Sequence, residues 1–219
     1  QVFDECVANF PDTTVLLFDN LTASTRNRAR KIIETFYADR SVILIGTQMC
    51  LPYLTLQGVD LSAVISLDAT RANPTWRADE DVFRLLLQLR EISHKEVLVQ
   101  TRTTPDDLLN HVKTGHLENF YTDELALRET LNYPPFSTFV LLSWTGNKLT
   151  VEEVENSIKN LTSKYKGNYY SNPISMNDKI LRHALFRLPP TGKEMTDFIE
   201  IIRSLPPYIK MEIDPSRIV

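Results

Sequence analysis

Two adjacent prolines, Pro134-Pro135, constrain this chain more than any other feature. Before them, Glu124-Leu-Ala-Leu-Arg-Glu-Thr-Leu-Asn-Tyr133 has the charges and leucine spacing of a helix. After them, Phe136 to Trp144 is largely apolar, and Phe139-Val-Leu-Leu142 is short and β-rich, as a buried strand requires. Proline has no amide proton and its ring clashes with the preceding helical turn, so the helix cannot continue. One domain is therefore expected to close on a helix, and the next to open on a strand, at Tyr133 to Phe136.

With 219 residues the chain has room for one large or two small domains. Its 42% hydrophobic and 24% charged content is ordinary for a globular protein. No apolar run approaches the roughly 18 residues of a membrane span, so no membrane partner is expected. A net charge of −4 argues against a generally basic nucleic-acid coat but leaves local basic clusters able to hold phosphate. Cys6 and Cys50 lack Cys-x-x-Cys spacing and neighbouring histidines, which predicts buried free thiols in a cytoplasmic protein. Beginning at Gln1 without a methionine or signal peptide, the chain reads as a piece of something longer.

Taken in order, Val2, Phe3, Cys6, Val7 and Phe10 mark one helix face. Strands are expected over Thr13–Phe18, Val42–Ile45, Ala63–Leu67 (ending at Asp68) and Val97–Gln100. Helices are expected over Ser24–Asp39 and Asp79–Arg90, with a further helix start at Thr104-Pro105-Asp106-Asp107. Strands alternating with helices predict βα units and a mostly parallel sheet. The helix Leu117–Asn132 leads out of this part. Beyond Pro135 the order becomes strand, helix, two strands, helix, strand, with capping boxes expected at Thr150-x-x-Glu153 and Thr191-x-x-Glu194. Two helices across four strands predict a split βαβ sandwich.

Four stretches, in order along the chain, resemble one family. Glu124-Leu-x-x-Arg128-x-x-Leu-x-Tyr133-Pro-Pro-Phe-Ser137 is similar to the junction into the C-terminal domain of the PriA-type primosomal replication-restart helicases. Glu212-Ile-Asp-Pro215 resembles that family's closing Asp-x-Asp-Pro, Ile43-Leu-Ile-Gly-Thr-Gln-Met49 its motif V, and Glu96-Val-Leu-Val-Gln-Thr101 the strand after its motif VI. The resemblance implies an α/β chain with a RecA-like parallel-sheet helicase lobe over 1–116 and a connecting helix over 117–133. A smaller α+β split-βαβ C-terminal domain would follow over 134–219. It implies ATP and Mg for an intact family member. No cofactor is expected in this chain, since the phosphate loop belongs to the first lobe, and no metal, since the family's zinc-binding cysteines precede this region. Implied partners are single-stranded or forked DNA, single-stranded-DNA-binding protein and the first helicase lobe of the parent chain.

The resemblance marks Gly46, Thr47 and Gln48 as nucleotide-binding remnants at a strand's C-terminal end, where α/β sheets place ligands. On its own a strand-end Gly-Thr is a turn. The family continues with Ala-Lys-Gly-His, whereas Leu51-Pro52-Tyr53-Leu54 follows here. Motif VI, Gln-x-x-Gly-Arg-x-Gly-Arg in the family, is reduced to Gln88-Leu-Arg90-Glu-Ile-Ser-His-Lys95, where only Gln88 matches. Arg90 stands nearest the missing arginines, and also reads as a helix-surface residue. Thr191-Gly192-Lys193 lacks the glycine and the following hydroxyl of a phosphate loop. The four histidines form no cluster, and no catalytic residue is identified.

Lys179, Arg182 and Arg187 are the expected DNA-binding residues, on a strand where the family alternates basic and aromatic side chains. Ile180 replaces an expected aromatic, although Tyr169 and Tyr170 are close in sequence. Arg26/Arg28/Arg30/Lys31 and Arg71/Arg77 form other basic groups, and each group also reads as a solvated face. The chain is thus expected to be the C-terminal part of a PriA-like primosomal DNA helicase with degenerate motifs V and VI. The alternative is a catalytically inactive DNA-binding or adaptor protein that kept the fold.

Overall fold

The computed structural model describes residues 1–72, 75–103, 106–171 and 179–218. The chain packs as two compact units, Gln1–Thr70 with Asp81–Asp106, and Arg71–Glu80 with Asp107–Val219. The limits expected from sequence differ in assigning 71–80 and 107–116 to the first domain.

The first unit draws on α1 (Val2–Asn9), β1 (Thr14–Phe18), α2 (Arg26–Ala38), β2 (Val42–Gly46), α3 (Leu51–Leu54), β3 (Val59–Val64), α4 (Leu67–Arg71), α5 (Ala78–Ile92) and β4 (Ser93–Val99). Its strands form two parallel pairs. β1 lies on β2 with Phe18 beside Gly46, and β3 lies on β4 with Val64 beside Val99. Thr25 starts α2 by accepting the Arg28 amide N–H at 3.3 Å. The apolar face of α2 then buries Ala29 and Ile33 against Phe18, Leu54, Leu89 and Ile92. By contrast, α1 buries none of its residues, and Phe10 just beyond it is 51% exposed.

The strand expected over Ala63–Leu67 begins earlier. Gly58, at φ 66°, turns the chain out of α3 so that pairing starts at Val59. Leu67, fully buried, already belongs to α4. Asp68 is therefore a helix residue, and its carboxylate accepts the Arg102 amide and the Thr101 and Thr103 hydroxyls. The helix start expected at Thr104-Pro105 lies outside the described residues; the next helix, α6, spans Asp107–Thr114.

In the second unit α7 (Leu117–Leu131) ends on Asn132, which adopts φ 52° and donates its amide to Glu129. The prolines follow, then β5 (Thr138–Gly146), α8 (Lys148–Leu161), β6 (Gly167–Ser171), β7 (Ile180–Leu188), α9 (Lys193–Arg203) and β8 (Lys210–Ile213). The strand order is β6-β7-β5-β8, with every neighbour antiparallel. This is the split βαβ arrangement. Neither expected capping box forms. Asn147 accepts the Thr150 amide at 2.9 Å and starts α8 three residues earlier, since asparagine caps as well as threonine. At α9 the capping position is Gly192, whose φ of 107° leaves Thr191 one residue too early.

Both faces of this sheet are covered. Val140, Leu142, Trp144, Ala184, Phe186 and Leu188 pack with Val151, Val154 and Ile158 of α8 and Phe198 and Ile202 of α9. The alternate residues Phe139, Leu141 and Leu185 pack with Trp76, flanked by Tyr133, Tyr170 and Ile218. Trp76 is why Arg71–Glu80 belongs to this unit.

Candidate functional site

Gly46, Thr47 and Gln48 lie together at the C-terminal end of β2, all exposed. The Thr47 amide donates to the Phe18 carbonyl at 3.3 Å, which draws this turn against the end of β1. A Cβ on Gly46 would stand 3.1 Å from the Cys50 sulfur and 3.2 Å from the Phe18 carbonyl, a tight fit that a side chain would relieve only by a small shift of its neighbours. Burial raises the Cys50 thiol above its ordinary pKa, leaving it a packing residue. Gln88 and Arg90 are exposed on the last turns of α5, whose buried Leu89 and Ile92 share a core with Phe18 and Cys50. α5 ends at Ile92 and β4 starts at Ser93, so no loop separates them.

The three expected DNA-binding residues do not form one patch. Strand alternation places Arg182 with Ala184 and Phe186 on the face covered by helices, and Arg187 with His183 and Leu185 on the other. Arg182 is held by Glu155 of α8, Nε to Oε2 3.0 Å. Arg187 is exposed, its guanidinium 5.3 Å and 5.2 Å from the ring centres of Tyr133 and Phe139. Lys179 is exposed just before β7. The nearby tyrosines have engaged rings: Lys159 lies 4.8 Å over Tyr169, and His183 stacks on Tyr170 at 5.2 Å.

Of the other basic groups, Arg28 donates to the Ser24 hydroxyl at 3.0 Å and Arg30 pairs with Glu34 at 3.0 Å on the exposed face of α2. Arg71 pairs with Asp79 at 2.8 Å.

The densest arrangement is one that residue spacing did not single out. Two guanidinium groups lie over the Trp76 ring, Arg77 at 4.2 Å and Arg128 at 4.9 Å from its centre. Arg128 donates Nε to Glu124 and Nη2 to Glu80, each at 2.8 Å, and all but 9% of the residue is buried. Burial opposes its charge, but the two carboxylates outweigh that and raise its pKa further. Opposite, Asp214 accepts the Phe139 amide N–H and donates its own amide to the Phe139 carbonyl, both at 2.8 Å. Glu124, Arg128, Tyr133 and Asp214 thus build the junction itself. The available signal was a tryptophan between two polar stretches with no strand or helix of its own.

Comparison with curated proteins gives the same name repeatedly. The replication restart protein PriA of Synechocystis is 30% identical over 164 residues, 73% of this chain and 20% of that protein. PriA of Chlamydia muridarum is 31% identical over 153 residues, 67% of this chain and 20% of that protein. Over this stretch the chain belongs to the PriA family. PriA of Bacillus subtilis matches 100% of the chain at 25% identity, covering 28% of its own length. The chain thus spans about a fifth to a third of the PriA proteins it matches. A comparison with models of known protein families gave no match. Among the described residues no helix is long and apolar enough to cross a membrane, and no group of metal-ligating side chains occurs.

Proposed function

We propose that this chain is the C-terminal part of a cytoplasmic PriA-like protein that acts in replication restart by binding single-stranded or forked DNA. The observation that carries the reading is the likeness to proteins named replication restart protein PriA, one of them along 100% of the chain. The parallel strand pairs of the first unit fit a RecA-like second helicase lobe, and the split-βαβ unit fits the family's C-terminal domain. On this reading Gly46, Thr47 and Gln48 face nucleotide or DNA backbone, with Gln88 and Arg90 as remnants of motif VI. ATP and Mg would be held chiefly by the first lobe of the parent protein, and single-stranded-DNA-binding protein is a further partner.

One observation favours the second reading, a DNA-binding adaptor without a motor. Phosphoryl transfer depends on an arginine aimed at the phosphates, a contribution of roughly 10³ to 10⁵ in rate. Here α5 passes into β4 without a loop, and Glu91, Ile92 and Ser93 occupy the region. Forked-DNA binding and DNA-stimulated ATP hydrolysis by the parent protein test both readings. Binding with little stimulated hydrolysis supports the adaptor, ordinary helicase turnover supports the motor, and absence of DNA binding overturns both.

A further inference from the structure

The helix-covered face of the C-terminal sheet ends in a group of charges that its apolar core does not account for. Glu155 lies on α8 between Val151, Val154 and Ile158 and is 8% exposed. Its Oε1 accepts from Lys159 Nζ at 2.6 Å, and its Oε2 lies 3.0 Å from Arg182 Nε. Both atoms of this second contact are fully buried, yet they are not aligned as a hydrogen bond. One carboxylate therefore serves two cations, and its contact with Arg182 lacks direction. Lys159 keeps 48% and Arg182 28% of its side chain exposed, against 11% for Glu155, so the two basic side chains are more accessible than the carboxylate between them. A buried ionic pair with imperfect geometry contributes little to stability, because desolvation offsets most of the attraction.

We propose that Glu155 is an internal counter-anion that masks Arg182 and Lys159, and that a nucleic-acid phosphate displaces it. This rests on the DNA-binding reading above and adds to it: the chain's affinity for DNA is held down by its own carboxylate. A backbone phosphodiester carries one negative charge, as the carboxylate does, but it approaches from solvent, offers two non-bridging oxygens to the cations, and its neutralisation releases counterions from the strand. The two cations share one anion, so each has capacity for another. Tyr169, lying under Lys159, holds that ammonium near the sheet edge instead of leaving it to roam.

The test compares the full chain with Glu155→Gln, which keeps the shape and the bond to Lys159 but removes the charge. Binding of a fluorescein-labelled oligothymidylate is measured from 50 to 200 mM salt. The variant should bind tighter and gain about 0.7 in salt slope per phosphate contact, an advantage that shrinks roughly threefold across this range. Adding Arg182→Ala should abolish the gain. If the wild type binds DNA and Glu155→Gln leaves affinity and slope unchanged, the masking idea is overturned while the DNA-binding reading stands. If neither binds, the DNA-binding reading itself fails. A readout that needs no Glu155 variant is the Arg182 Nε–H resonance of the wild type, assigned by its loss in Arg182→Lys. Its movement on DNA addition supports displacement, and an unmoved signal at saturating DNA overturns it.

Discussion

The Trp76 indole N–H donates to the Pro215 carbonyl at 2.9 Å across 139 positions of sequence. The bond is buried and ties the segment before α5 to the end of the C-terminal sheet. Phe139 meets the same indole edge-on at 6.1 Å, while Asp214 holds the Phe139 backbone. Junction motif and closing motif therefore form one structure.

Trp76→Ala should destabilise the second unit by about 3–5 kcal/mol, the cost of a lost aromatic core residue. Trp76→Phe keeps much of the packing but leaves the Pro215 carbonyl unpaired, at about 1–3 kcal/mol. Urea unfolding followed by circular dichroism separates the two. Equal small losses would mean that Trp76 is not a core residue.

Arg128→Met should cost about 3–5 kcal/mol, because Glu80 and Glu124 both lose the buried guanidinium that bonds them. Combining it with Glu80→Gln and Glu124→Gln should recover much of that loss. The check is a thermal melt of all variants at one pH. A single variant as stable as wild type would remove the clamp from the account.

Acid should weaken the second unit through His183. Its ring stacks on Tyr170, its Nδ1 shares a 2.8 Å hydrogen bond with the Ser143 hydroxyl, and burial depresses its pKa while Glu212 pulls partly back. A folded-state pKa below the unfolded value of about 6.5 means that the unfolded chain binds the proton first. Stability is therefore full above about pH 6.5 and falls as pH drops through the folded value. His183→Gln should flatten that slope in unfolding measured between pH 7.5 and 5.5. An unchanged slope would assign the effect to other groups.

Gly58→Ala should destabilise the first unit by more than the roughly 1 kcal/mol of a left-handed backbone alone. A Cβ there would meet the Ile92 carbonyl at 2.6 Å and His94 Nε2 at 2.7 Å. Hydrogen exchange of the β3 and β4 amides reports the loss locally. Unchanged protection would show that the turn can shift freely.

Local chemistry was legible in the sequence. Proline ended the helix before β5, helices were expected where α2 and α5 lie, and the strand expected to carry Arg182 and Arg187 is β7. These signals depend on neighbours a few residues apart. Where two good local options competed, the sequence could not choose: Asn147 and Thr150 both cap well, and helix α8 took the earlier one. The separation of Arg182 from Arg187 was legible in principle, since five positions along a strand reverse the face.

What lay beyond sequence was every relationship between distant residues. Trp76 showed no periodic pattern, and only the second face of the sheet gave it a place beside Phe139. The spacing of Glu155 put it on the apolar face of α8, but only the packing of α8 on β7 brought Arg182 to it. Burial and ion pairing are set by the chain's return through space, and a linear reading contains the residues without their partners.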